Sequence, residues 1–217
     1  MSNPMIQLIV LAVIAIVLIY RLRGVLGTRD GFEPTQTQQP VEADYDVMDE
    51  DQAADDEDLS DHVDPQSPAY AALVAMKQAE PSFSLGEFLG GAKFAYEMIL
   101  VAFERGDLSE VRAFLTPEVA RAFDSAIAAR AESGHSVDVQ FLGTREISLA
   151  VAEFNPSDNT AEVSVRFLGE MIVVTRDRDG NIVDGDPKKA RKQRDTWTFE
   201  RRMGSDDPNW RLVATGL

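Results

Sequence analysis

The sequence contains no cysteine and only two histidines among its 217 residues. Without thiols there can be no disulfide, no cysteine nucleophile and no zinc–thiolate site. The histidines, His62 and His135, have no second metal ligand at a useful spacing, so we expect both to face solvent. The sequence also lacks the G-x-S-x-G and H-E-x-x-H motifs of hydrolases and metalloproteases. It therefore predicts no metal, no cofactor and no catalytic residue.

Lysine and arginine are absent from residues 30–64, which carry fourteen acidic side chains. Residues 1–29 hold three arginines, so residues 65–217 account for only −5 of the formal net charge of −16. The stretch is also poor in aliphatic side chains, and a chain of this composition cannot bury enough apolar surface to fold. We predict a disordered acidic linker over residues 24–67.

The long apolar run at residues 5–20 is typical of a membrane span. Sixteen helical residues cover about 24 Å, so Leu22 and the snorkelling side chains of Arg21 and Arg23 would complete the roughly 30 Å hydrocarbon core. A cleaved signal peptide is the alternative, and a periplasmic binding module would require it, but no Lys or Arg precedes the run and no A-x-A site follows it. We predict a single-pass anchor over residues 1–23 with the rest of the chain in the cytoplasm. The span includes Met5, Ile6, Leu8, Val10, Ile14, Leu18 and Tyr20.

Residues 84–115 have the pattern of a long helix followed by a short second helix. Ser84 and Glu87 form a capping box at the start, and Gly106 with Asp107 is a stop signal. One face at helical spacing is wholly apolar and three further side chains widen it, so this helix needs cover on two sides. The face comprises Leu85, Phe88, Leu89, Ala92, Ala95, Tyr96, Ile99 and Phe103, widened by Phe94, Met98 and Val101.

The remaining pattern predicts the fold class. Residues 69–79 indicate a short helix, and Pro117 indicates the start of another that runs to Gly134. From residue 137 the apolar period becomes alternating, and Gly143 indicates a bend or bulge in a first strand whose inner face includes Val151. Turn signals then separate three further strands. Helices followed by four antiparallel strands predict an α+β domain over residues 68–217, with the sheet wrapped over the long helix.

A basic loop at residues 186–194 interrupts the acidic background. A Lys or Arg near an anionic lipid surface contributes about 1 kcal/mol of binding, so the loop indicates headgroup binding. The alternatives are a solvated charged loop, or a latch in which the acidic linker folds back onto the loop and salt weakens the contact. Because the domain is net negative, we do not expect nucleic acid as a partner. The candidate residues are Lys188, Lys189, Arg191, Lys192 and Arg194.

Four apolar residues, Phe88, Tyr96, Ile99 and Trp197, are candidates for lining a hydrophobic pocket, with plain core packing as the alternative. An enzyme of similar fold would need a carboxylate beside an aromatic hydroxyl in that pocket. The strand pattern places Asp138 and Glu146 on the outer face, away from the Tyr96 hydroxyl.

Several segments resemble one family in their order and spacing. They are F-L-G-G-A-K-F-A-Y-E-M-I-L-V-A-F-E-R-G-D-L from Phe88, L-T-P-E-V-A-R-A-F from Leu115, D-T-W-T-F-E-R from Asp195 and D-P-N-W-R-L-V-A-T from Asp207. Over residues 83–215 the chain resembles the Tim44-like domain family. This family includes the bacterial TimA proteins and the C-terminal domain of the mitochondrial inner-membrane translocase subunit that anchors the import motor.

The resemblance implies an α+β cone of the nuclear transport factor two type, with an apolar pocket between a long helix and a curved antiparallel sheet. It implies a non-enzymatic adaptor at the inner membrane that contacts lipids such as cardiolipin. Its implied protein partners are a DnaK-type chaperone or a translocon, in protein transport or membrane-protein quality control. The N-terminal region by which the mitochondrial relative binds such partners has no counterpart here beyond the anchor and linker. The alternative is a small-molecule-binding or enzymatic domain of the same fold.

Overall fold

The structure, a computed structural model, describes residues 58–216. The predicted anchor and most of the predicted acidic linker lie outside these residues. Residues Asp55–Leu217 form one compact unit. Within the described part, no helix is both long enough and apolar enough to cross a membrane.

Three α-helices form the first half of the domain: α1 at Pro68–Ala79, α2 at Leu85–Arg105 and α3 at Pro117–Glu132. The hydroxyl of Ser84 accepts a hydrogen bond from the Glu87 amide at 3.2 Å, which confirms the predicted start of α2. Gly106 ends α2 in the left-handed conformation with φ 80°. The short helix predicted after this stop is a single 3₁₀ turn at Arg112–Phe114.

Residues 58–67 belong to the domain and not to a disordered linker. Residues 58–60 are helical, and the Leu59 side chain is 1% exposed within the core. The carboxylate of Asp58 accepts hydrogen bonds from the amides of Leu85 and Gly86, at 2.9 and 3.0 Å, at the start of α2. Composition predicted disorder because it averages over the segment, whereas one buried leucine and one capping carboxylate hold this end in place.

The second half is an antiparallel sheet, which confirms the predicted α+β order of helices followed by a curved sheet. It has five strands where four were predicted, in the order β1–β2–β4–β5, and β3 pairs with the end of β2. The additional strand β3 has four exposed residues, too few for an alternating pattern to show in the sequence. The strands are β1 at Ser136–Asn155, β2 at Thr160–Arg176, β3 at Ile182–Gly185, β4 at Arg191–Arg202 and β5 at Arg211–Gly216.

The long first strand changes register three times, and this decides which side chains face the core. Gly143, with φ 137°, lies at the first shift, which confirms the predicted bulge. The third shift, between Leu149 and Val151, turns Ala152 inward and leaves Val151 43% exposed. The prediction that Val151 faces the core is therefore wrong, because a bulge reverses the faces of a strand.

The core lies between α2 and the inner face of the sheet. On β2 the residues Val163, Val165 and Phe167 are buried, and on β4 Trp197 and Phe199 lie beside them in register. These side chains cover one side of α2, as the apolar face of this helix predicts.

Candidate functional site

The basic loop connects β3 to β4 and is exposed throughout its cationic positions. Asp186 fixes its shape: one carboxylate oxygen accepts from the Lys188 amide at 2.8 Å, and the Asp186 carbonyl accepts from the Lys189 amide at 3.1 Å. Such an Asx turn uses the backbone amides and leaves both ammonium groups free to face solvent.

The five predicted headgroup residues do not share one face. Side chains alternate along β4, and Asp195 is buried on the inner face, so Lys192 and Arg194 lie on the outer face. Arg191 lies on the inner side, where its guanidinium is 3.8 Å from the Glu104 carboxylate of α2. The structure therefore groups four of the cations in the loop and on the outer face, and places the fifth beside α2.

Two exposed aliphatic side chains precede the basic loop on β3. Ile182 is 44% exposed and Val183 is 49% exposed. The strand leads into the loop through Gly185, whose φ is 85°. A Cβ at Gly185 would lie 2.1 Å from the Val173 carbonyl oxygen, so β3 can pair this closely with β2 only because residue 185 is glycine.

An open groove of about 450 Å³ runs along the outer side of α2. Of the four predicted pocket residues, Phe88 lines this groove, whereas Tyr96, Ile99 and Trp197 lie in the core and are at most 4% exposed. Aromatic rings form one wall, and the Phe88 and Trp210 centroids are 4.6 Å apart. The apolar lining comprises Phe83, Phe88, Ala92, Phe94, Ala95, Met98, Phe114, Phe199 and Trp210.

A half-buried ion pair forms the other end of the groove. Arg201 of β4 pairs with Glu80, which also accepts a hydrogen bond from the Gly204 amide at 2.8 Å. The Arg201 guanidinium lies 5.5 Å from the Trp210 ring centroid. Burial alone would raise the pKa of Glu80, but the hydrogen bonds from Arg201 and Gly204 lower this pKa below its usual value. The pair ties the end of α1 to β4.

A tyrosine and an aspartate meet in the core. The Tyr96 hydroxyl of α2 donates a 2.6 Å hydrogen bond to Asp195 of β4, whose other oxygen accepts from the Gln193 amide at 3.2 Å. Gly169 makes room for the phenol, because a Cβ there would lie 2.8 Å from the hydroxyl oxygen. Burial raises the pKa of Asp195, and the hydrogen bonds from Tyr96 and Gln193 offset only part of this rise. Burial also raises the pKa of Tyr96.

Comparison with known proteins identifies the family of this fold. The family model of the Tim44-like domain matches residues 69–216. The chain belongs to the Tim44-like domain family. This confirms the resemblance drawn from the sequence motifs.

One similar solved structure is that of the intermembrane space region of the chloroplast protein ARC6, with 14% sequence identity and a TM-score of 0.40. The similarity covers 59% of this chain and 94% of that chain. A comparison with curated protein sequences found no match.

The Tyr96–Asp195 pair of this Tim44-like domain is closed to substrates. Tyr96 is fully buried and Asp195 is 7% exposed, and neither residue lines the groove. Across residues 58–216, no three His, Asp or Glu side chains come together to hold a metal ion. The pair therefore joins α2 to β4 within the core as a structural hydrogen bond.

The spacing of Asp195 and Trp197 is a signal in the sequence for an acidic side chain in the core of the Tim44-like domain. Asp195 lies two residues before Trp197, so an alternating strand puts both side chains on the inner face. Asp138 and Glu146 of the first strand lie at exposed positions, as the strand pattern predicts, and Asp195 of β4 is the acid beside Tyr96.

Proposed function

We propose that this protein is a non-enzymatic adaptor whose Tim44-like domain contacts an anionic lipid surface through the basic loop. The observation that carries the proposal is the exposure of Lys188, Lys189, Lys192 and Arg194, which follow the exposed aliphatic side chains of Ile182 and Val183 along the chain. Cations that meet phosphate beside aliphatic groups that meet the acyl boundary are the composition of an interfacial site.

The net negative charge of the domain confines its contact with an anionic bilayer to the basic loop. Residues 65–217 carry a net charge of −5, so most of their surface repels an anionic bilayer. Four cations at about 1 kcal/mol each support reversible binding that salt weakens, because the surface potential decays over a Debye length of about 8 Å at physiological ionic strength.

The predicted anchor over residues 1–23 would make this weak contact effective. An anchored domain meets the bilayer at a high effective concentration, so weak binding suffices to hold one face of the domain against the membrane. In this arrangement the domain faces the cytoplasm, and its opposite surfaces are available to a protein partner. A DnaK-type chaperone or a translocon at the inner membrane remains the partner that family membership suggests, and cardiolipin the lipid.

Among residues 58–216, the Tyr96–Asp195 pair is the feature that favours an enzyme of the same fold. A general acid or base must come within hydrogen-bond reach of a substrate atom. The Tyr96 hydroxyl donates its hydrogen bond to Asp195 within the core, and the Tyr96 side chain has no exposed surface. The adaptor is therefore the better supported function.

Vesicle flotation of residues 55–217 tests the proposal. Vesicles with and without cardiolipin are compared at low and at high salt. The test variant changes Lys188, Lys189 and Lys192 to Ser, and a second variant also changes Arg191 and Arg194. The matched control removes the same charge elsewhere by changing the exposed Lys93, Arg202 and Arg211 to Ser.

We expect wild-type protein and the matched control to float with anionic vesicles at low salt, and the test variant to lose at least about tenfold in affinity, because three charges contribute about 3 kcal/mol. Equal loss in the control and the test variant would mean that net charge alone drives binding. That result, or an absence of flotation at low salt, would contradict the proposal.

A further inference from the structure

The outward face of α2 carries a regular seam, and most of its members are exposed. Its members follow one another at intervals of four, three, four, three and four residues, the spacing of the seam in a coiled coil. The seam consists of Glu87, Gly91, Phe94, Met98, Val101 and Arg105.

Within residues 58–216, four members of this seam are exposed, whereas Met98 and Val101 are half-buried. Phe94 is 64% exposed, the largest exposure among the large hydrophobic side chains of that part. A Cβ added at Gly91 would meet no atom within 4 Å. Glu87 and Arg105 are both exposed, and neither forms an ion pair with a described residue. The sheet covers one side of α2 and α3 packs against its C-terminal end, where the Phe103 and Phe123 ring centroids are 4.8 Å apart, whereas Phe94 on the seam stays exposed within residues 58–216.

We infer that this seam binds the same seam of a second copy of the chain, with the two α2 helices antiparallel. The sequence of the seam is complementary to itself about the level of Tyr96. Glu87 lies nine residues before Tyr96 and Arg105 nine after it, so a two-fold axis at this level brings each glutamate to an arginine. An interface between two identical copies requires this property, because the same patch serves both sides.

The sizes of the side chains pair in the same way. Gly91 and Val101 are five residues either side of Tyr96, so the smallest member of the seam meets a β-branched one. Phe94 and Met98, two residues either side, meet at the centre of the interface, and a thioether against an aromatic ring is a favourable contact. A parallel pair would instead bring Glu87 to Glu87 and Arg105 to Arg105, so like charges would meet at both ends.

The groove provides room for the second helix. Four seam residues, Glu87, Gly91, Phe94 and Met98, also line the groove along α2. The opposite wall carries the Trp210 ring and the Arg201 guanidinium, whose Nε atom is buried without a hydrogen-bond partner. Aromatic and arginine side chains are enriched at protein interfaces, so this wall fits a surface that a second chain covers.

Light scattering and sedimentation of residues 55–217 measure the self-association directly. We expect a dimer that dissociates on dilution, and Phe94→Glu should be monomeric throughout. Leu142→Glu is the matched control, because Leu142 is a 41% exposed aliphatic residue on β1 outside the seam. Phe94→Glu should leave the thermal unfolding of the monomer unchanged, since this side chain lies outside the core.

Charge reversal tests the predicted ion pairs. Glu87→Arg and Arg105→Glu each place like charges together at both ends of the pair, and each should weaken the dimer by about tenfold. The double variant restores opposite charges, and we expect its dissociation constant to return close to the wild-type value. If both single variants weakened the dimer equally and the double variant did not recover the wild-type dissociation constant, the antiparallel pairing would be overturned.

Disulfide trapping tests the direction of the helices without background, because the chain has no cysteine. A mixture of Gly91→Cys and Val101→Cys chains should form a mixed disulfide under mild oxidation, whereas neither variant alone should cross-link, since like positions lie ten residues apart along the antiparallel pair. Cross-linking of Gly91→Cys to itself would indicate parallel helices and overturn the proposal. A monomer at every concentration would overturn it as well.

Discussion

At the scale of single residues, the Tyr96–Asp195 hydrogen bond shows how a carboxyl group can be tolerated in an apolar core. Asp195 lies between Gln193 and Trp197 on the inner face of β4, and its two oxygens accept from Tyr96 and Gln193. A buried carboxylate with both oxygens bonded still carries a desolvation cost, which favours the protonated form. The pair therefore links α2 to β4 but makes the core sensitive to pH.

Asp195→Asn should remove a pH dependence of stability. The pKa of Asp195 is raised in the folded protein, so unfolding releases a proton once the pH exceeds the usual value of 3.8. Above pH 3.8 the unfolded chain binds fewer protons than the folded protein. The free energy of unfolding therefore falls as pH rises from 3.8 through the folded pKa of Asp195, by at most about 1.4 kcal/mol per pH unit. We expect urea denaturation to show this fall in the wild type and not in Asp195→Asn.

The exposed Asp206→Asn serves as the control, and its stability should follow the wild type at every pH. If the free energies of unfolding of the wild type and of Asp195→Asn changed in parallel between pH 4 and neutrality, burial of Asp195 would not be the cause of the pH dependence.

At the scale of secondary-structure elements, α2 depends on a residue far from it in sequence. Its own cap, Ser84, satisfies one amide of the first turn, and Asp58 satisfies two more. Burial alone would raise the pKa of Asp58, but the bonds from Gly86, Leu85 and Ser84 lower this pKa below its usual value. The negative charge also lies at the positive end of the helix dipole.

Asp58→Ala should destabilise the domain by about 1 to 2 kcal/mol at neutral pH, because the first turn of α2 loses two hydrogen bonds and a favourable charge. Since the pKa of Asp58 is lowered on folding, the contribution is present above the usual pKa and is lost as pH falls through the folded value. Chemical denaturation measures the difference. Asp61→Ala, at an exposed position of the same segment, is the matched control, and equal losses in the two variants would exclude the cap.

The β2–β3 hairpin, which leads into the basic loop, depends on one glycine. Gly185→Ala would bring a Cβ to 2.1 Å from the Val173 carbonyl oxygen, whereas Gly180→Ala, at almost the same φ, meets no atom within 4 Å. Both changes place a side chain in the left-handed region, at a cost of about 1 to 2 kcal/mol. Gly185→Ala adds a steric cost of about 1 to 3 kcal/mol.

We expect hydrogen exchange of the β3 amides to accelerate in Gly185→Ala much more than in Gly180→Ala. Vesicle binding should weaken in the same variant, because the basic loop loses the strand that holds its first end. Equal exchange rates in the two variants would show that the chain relieves the close approach without unpairing β3.

At the scale of the whole molecule, the sequence predicted those features that local chemistry determines. Ser84 and Gly106 mark the two ends of α2 because capping depends on neighbouring residues alone. The order of helices and sheet followed from the change of apolar period. The third register shift of β1, between Leu149 and Val151, was missed because no glycine marks it.

The features that depend on distant residues could not be read from local patterns. Leu59 is a single leucine in an acidic segment, and only the packed fold shows that it is buried. The hydrogen bond between Tyr96 and Asp195 joins residues 99 positions apart. The basic loop was predicted as a charged segment, but the division of its cations between two faces depends on where β4 begins, at Arg191.

The compact unit of the protein begins before the region that the family model matches. The family model matches residues 69–216, whereas the compact unit is Asp55–Leu217. A fragment that begins at residue 69 lacks the cap from Asp58 and the buried side chain of Leu59. Burial of a leucine contributes about 1.5 to 3 kcal/mol and the cap about 1 kcal/mol. We therefore expect residues 69–217 to unfold at a lower urea concentration than residues 55–217, by about 2.5 to 4 kcal/mol in the free energy of unfolding.

Leu59→Ala in the longer fragment separates the two contributions, since it removes most of the burial and keeps the cap. It should lose about 2 kcal/mol or more, as large-to-small changes in a core do. Comparison at one protein concentration keeps any self-association equal between fragments. If residues 69–217 were as stable as residues 55–217, the contacts of Asp58 and Leu59 would contribute nothing to folding. The domain would then begin where the family model begins.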